Sequence, residues 1–109
     1  MNKEELRINE GSINFWIKEN SLNFSDNKSV IIFTIDPEGG SILCIKDIDN
    51  KIKFYFVVNG KGREDLEFDI SQQNQNIKHM VTFTWNLKNK QLNLFFDGVN
   101  MFKKNINFN

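Results

Sequence analysis

The sequence predicts an all-β fold, an antiparallel two-sheet sandwich or a barrel, and three observations carry that prediction. Apolar residues recur at every second position along most of the chain, the period of a strand with one buried face. About eight such runs are separated by short stretches rich in turn residues, the spacing of sandwiches and barrels. The composition also favours strands: eleven Phe, many Ile, a single Pro and no Ala, the best helix former.

Each element follows from its pattern. GSINFWIK (11–18) sets Ile13, Phe15 and Ile17 on one face and Asn14, Trp16 and Lys18 on the other. Residues 20–28 read as a loop. SVIIFTI (29–35) is apolar on both faces, which predicts a central strand. The turn Pro37-Glu38-Gly39-Gly40 leads into SILCIK (41–46), and Asp47-Ile48-Asp49-Asn50 leads into KIKFYFVV (51–58). Asn59-Gly60-Lys61-Gly62 tolerates positive φ and predicts a hairpin to REDLEFDI (63–70). After a polar connection (71–76), HMVTFTWN (79–86) and QLNLFFDG (91–98) flank Leu87-Lys88-Asn89-Lys90 as a second hairpin, and MFKKNINF (101–108) supplies a last strand. No composition boundary or repeat divides the chain, so residues 1–109 form one expected domain.

Several function classes are set aside by composition. With 14 basic and 14 acidic residues intermixed there is no basic stripe, and nucleic acid is not an expected partner. No apolar run is long enough for a membrane-spanning helix, and the opening MNKEELRINEG lacks the apolar core of a secretory signal. Location is left open; a fragment of a larger secreted protein would be extracellular. Cys44 is a lone cysteine between Leu43 and Ile45 and reads as a buried structural thiol.

Two stretches bring in a family. GSINFWIK is similar to the S-I-S-F-W-V-K strand of laminin-G-like, concanavalin A-like lectin-glucanase domains. HMVTFTWNLKNKQLNLFFDG resembles the H-x-V-x-x-T-W…L-x-L-Y-V-D-G hairpin of the same superfamily, through His79, Val81, Thr84, Trp85, Leu92, Leu94, Phe95 and Asp97-Gly98. The resemblance implies a jelly-roll sandwich, with this chain a shortened version, a fragment, or a domain that completes its sheet with a partner. Such domains usually run longer and have strands before the first motif. It also implies three function classes: sugar-binding lectins, protein-binding modules and laminarinase-type glycoside hydrolases.

The residues then choose among these. In DLEFD, Asp65, Glu67 and Asp69 share one strand face, and the hydrolases of this superfamily carry E-x-D-x-E on such a strand. Here Glu67-x-Asp69 is followed by Ser71 where the second catalytic Glu belongs, so the row reads as a solvated face and no catalytic residue is assigned. His79, the sole histidine, opens a core strand and is expected to be structural. Calcium is a candidate cofactor, because lectin-like relatives bind it near their ligand sites. Asp36, Asp47 and Asp49 are the candidate ligands, although Asp is also a standard turn residue.

The candidate ligand contacts are Trp16, Tyr55 and Phe95, out of phase with the main apolar sets, together with Asn14. A flat ring beside amides matches a sugar's apolar face and hydroxyls. The competing reading is packing, since the superfamily's Trp at the position of Trp16 is ordinarily a packing residue. The expected function is therefore a non-catalytic recognition module for carbohydrate or protein. Assembly through open sheet edges, with self-association, competes with it, and a glycoside hydrolase ranks last.

Overall fold

The alternation of apolar and polar side chains resolves into eight strands in the computed structural model, which describes residues 7–108. They are β1 (Glu10–Ile17), β2 (Val30–Ile35), β3 (Gly40–Lys46), β4 (Lys51–Val58), β5 (Gly62–Asp69), β6 (His79–Asn86), β7 (Gln91–Phe96) and β8 (Val99–Asn105). Residues 1–6 and 109 of the expected domain lie outside the described residues. Two antiparallel sheets of four strands form, in the orders β1-β6-β7-β8 and β2-β3-β4-β5.

The core lies between the sheets and is largely aromatic. Phe54 of one sheet stacks on Phe83 of the other with centroids 4.6 Å apart; Phe15 meets Phe33 edge-on at 5.2 Å, and Phe68 meets Phe96 at 4.9 Å. Rings reach across a sandwich roughly 10 Å thick where short aliphatics would leave gaps. Gly11 makes room for a core ring within its own sheet: a Cβ there would sit 2.4 Å from Cζ2 of Trp85, so only glycine leaves space for the indole beside β1.

Two sequence expectations are corrected. β2 is an edge strand, not a central one, and its register shifts between Ile31 and Phe33. The bulge turns Ile31 outward to 66% exposure, so apolarity on both faces here reflects an interrupted alternation, not cover on both sides. Asp97-Gly98 is not the end of a strand but a two-residue turn joining β7 to β8, with φ of 52° and 84°. Both positive values match the Asp-Gly type I′ hairpin, which starts β8 at Val99.

The connection between β1 and β2 has no regular structure and is pinned by side chains. Phe24 is buried in the core, its amide donates to Gln75 Oε1 (3.0 Å), and the Asn27 amide donates to Asn50 Oδ1 (3.0 Å). Lys46, 0% exposed at the end of β3, bonds the Asp26 carboxylate and donates to the Lys28 carbonyl (2.6 Å). The alternation that buries Ile42 and Cys44 carries Lys46 inward too, and the loop supplies the acceptors a buried ammonium requires.

Candidate functional site

The outward face of β1-β6-β7-β8 is an array of amides and hydroxyls set by strand register. One row runs Asn14, Thr82, Phe95, Asn100; the next runs Ser12, Thr84, Asn93, Lys103; the third runs Glu10, Asn86, Gln91, Asn105. Adjacent strands lie about 4.8 Å apart, so each row spans roughly 14 Å. Asn93 donates to Thr84 Oγ1 (3.4 Å) and Asn100 donates to Asn93 Oδ1 (3.2 Å), which orients the central amides. A depression of 420 Å³ opens over Ser12, Thr84, Asn86, Gln91 and Asn93.

Three of the four expected contact residues meet on this face. Asn14 and Phe95 share a row through Thr82, and Trp16 lies one row along, opposite Met80. Trp16 is 52% exposed, with the Lys78 ammonium 4.8 Å from its ring centroid, so it is not packed into the core. Tyr55 sits on the outward face of the other sheet, opposite Asp65 and beneath the Arg63 guanidinium at 4.7 Å. Alternation within a strand tells which residues share a face of that strand; it does not tell which sheet the strand joins. Sequence reasoning named the aromatics but passed over the Asn86, Gln91 and Asn100 amides, whose signal is only their phase.

The expected calcium ligands do not converge. Asp47 and Asp49 both hold the Lys53 ammonium, at 3.0 and 3.1 Å, and Asp36 follows β2 at the opposite end of β3, roughly 20 Å away. The Ile48 amide and Lys53 keep the Asp47 carboxyl below its usual range, and the two carboxylates raise Lys53. Among the described residues no three His, Cys, Asp or Glu side chains cluster as metal ligands.

The acidic row of β5 is distributed among local partners. Asp65 takes Arg63 in a two-point pair (2.7 and 2.9 Å), and Glu67 takes Lys51 (3.0 Å). Asp69 accepts from the hydroxyl and amide of Ser71 (2.7 and 2.8 Å), which lower its pKa. Ser71, at the position a second catalytic carboxylate would need, thus completes a turn around Asp69. On the other side of the strand Leu66 and Ile70 are fully buried.

His79 is 3% exposed and clamped between Asp97 and the Asn74 carbonyl, and its ring stacks on Phe96 at 4.8 Å. Cys44 is fully buried, and burial pushes its thiol pKa up, out of the reactive range.

The chain superposes on the solved mouse laminin alpha1 chain, domains LG4-5, with a TM-score of 0.69 over 98% of its length, at 14% sequence identity. The fold is laminin-G-like. This sandwich spans 26% of the laminin chain it matches. No family model matches the sequence, and neither does any curated protein.

Proposed function

We propose that this laminin-G-like domain is a non-catalytic recognition module that binds a neutral glycan across the outward face of β1-β6-β7-β8. The supporting observation is the chemistry of the three rows: ten uncharged side chains, nine of them amides or hydroxyls, with Glu10 and Lys103 as the charged members. Amides and hydroxyls both donate and accept, as sugar hydroxyls do. Phe95 offers a half-buried ring on which the apolar side of a pyranose can lie. The absence of a paired, unengaged carboxylate dyad on β5 favours binding over hydrolysis.

A glycan array including neutral and acidic sets, read with calcium and with chelator, tests this proposal. Saturable binding to neutral glycans is expected. Titration calorimetry should then show affinity falling about tenfold in Phe95→Ala and in Asn93→Ala, with Tyr55→Ala on the other sheet unchanged. No saturable binding, or binding indifferent to Phe95 and Asn93, would overturn it. A β-glucan panel should show no turnover.

A further inference from the structure

Each sheet has two edges, and three of the four carry features that discourage strand addition. β5 has Arg63, Glu64, Asp65, Glu67 and Asp69 in eight residues. β2 is six residues long and bulged between Ile31 and Phe33. β8 is bulged opposite Leu94 and Phe95, carries Lys103 and Lys104, and packs on β5 through Lys104 and Glu64 (3.1 Å). β1 has no bulge and a single charge, Glu10 at its first position: it pairs with β6 over all eight residues without a register shift, and Gly11–Ile17 contains no charge and no proline. Among the described residues no strand pairs with its far side. Beside this edge Trp16 and Ile31 are exposed and line a cleft of 230 Å³ with Phe15 and Leu22.

From these edges we infer that β1 is a homodimer interface, pairing antiparallel with β1 of a second copy about a twofold axis at Asn14. Residues facing each other across an antiparallel pair lie on one face of the sheet, so only positions of equal parity can pair. Centring the axis on Asn14 sets Ile13 against Phe15, Ser12 against Trp16, and Glu10 against Lys18. A centre on Ile13 places Glu10 against Trp16 and Lys18 against Ile8, and a centre on Phe15 places Glu10 against Asn20. Within Glu10–Lys18 only the Asn14 register matches opposite charges, and symmetry forms that pair twice; Arg7, which a centre on Ile13 would set against Glu19, lies before β1 and is paired with Glu38 (3.1 Å). The pairing also joins two four-stranded sheets into one of eight strands and brings the two amide faces side by side. The inference concerns the strand edge and stands whether or not that face binds glycan.

Sedimentation equilibrium across a concentration series tests the interface. A reversible dimer is expected, lost in Asn14→Lys because two ammonium groups then meet at the axis, with circular dichroism unchanged. Glu10→Lys alone and Lys18→Glu alone should each weaken dimerisation about five- to tenfold, and the double swap should restore it. Asn14→Cys should cross-link on oxidation, since directly paired Cα atoms lie within disulfide reach, whereas Cys44 is buried. A monomer at all concentrations overturns the inference. So does a dimer that Asn14→Lys and the charge swaps leave unaffected.

Discussion

His79 Nδ1 stands 2.6 Å from Asp97 Oδ2 while Nε2 stands 2.6 Å from the Asn74 carbonyl oxygen, so both ring nitrogens face acceptors. An imidazole satisfies two acceptors only when it carries two protons. Asp97 Oδ1 also accepts from the Met80 amide (2.8 Å), so the charged ring ties the β7–β8 turn to β6 and to the 71–78 connection. Burial disfavours the imidazolium, but the Asp97 hydrogen bond, the Asn74 carbonyl and the Asp97 charge outweigh it, and the His79 pKa is raised.

A raised folded-state pKa means that the clamp stabilises fully below the unfolded value of about 6.5 and is lost as pH rises through the higher folded value. Melting temperature should therefore fall from pH 6 towards alkaline pH in wild type, and His79→Gln should flatten that slope while costing about 1–3 kcal/mol near pH 6. Equal slopes in the two proteins would rule the clamp out.

Lys46 and Asp26 make an asymmetric pair, the ammonium fully buried and the carboxylate side chain 28% exposed. Removing the acid strands a buried charge with only the Lys28 carbonyl, whereas removing the base leaves a carboxylate that water can reach. Urea denaturation should therefore show Asp26→Ala to be more destabilising than Lys46→Met. The Lys46 hydrogen bond chiefly lowers the Asp26 pKa, so this contribution is present at neutral pH and lost as pH falls below the ordinary carboxylate range.

Much of this fold is legible in the chain because burial on one side of a strand imposes a period of two. The bounds of β4 and β6 follow from the pattern alone, and so does the grouping of Asn14 with Trp16. What alternation could not convey was long-range. It gave no sheet to Tyr55, no inward partner to Lys46, and no edge position to β2, whose bulge breaks the period that would have revealed it. The Asp97-Gly98 turn was readable, but the run of apolar residues before it masked a two-residue hairpin.

Gly11 is a packing residue in this sandwich. Its missing Cβ is the space occupied by Cζ2 and Cη2 of Trp85, at 2.4 and 2.8 Å from where a methyl would stand. Gly11→Ala should destabilise by about 1–3 kcal/mol through overpacking. Combining it with Trp85→Phe should recover part of that loss, giving a coupling energy of about 1 kcal/mol in a double-mutant cycle. Strict additivity would show that β1 shifts freely to accommodate the methyl.

Glu64 closes the opposite side of the molecule. It is buried on β5, where Oε1 takes Lys104 (3.1 Å) and Oε2 accepts the Asn107 amide (2.8 Å), and Lys104 also donates to the Asp65 carbonyl (3.2 Å). Lys104→Met leaves a buried carboxylate without its cation, and a loss of about 2–4 kcal/mol is expected. Glu64→Gln keeps an oxygen for Asn107 and should cost less. Hydrogen exchange at Asn107 distinguishes the two: faster in Lys104→Met, where the Glu64 carboxylate turns towards water, and close to wild type in Glu64→Gln. If both exchange alike, the ion pair does not hold the segment after β8, and packing of Ile106 into the core does so instead.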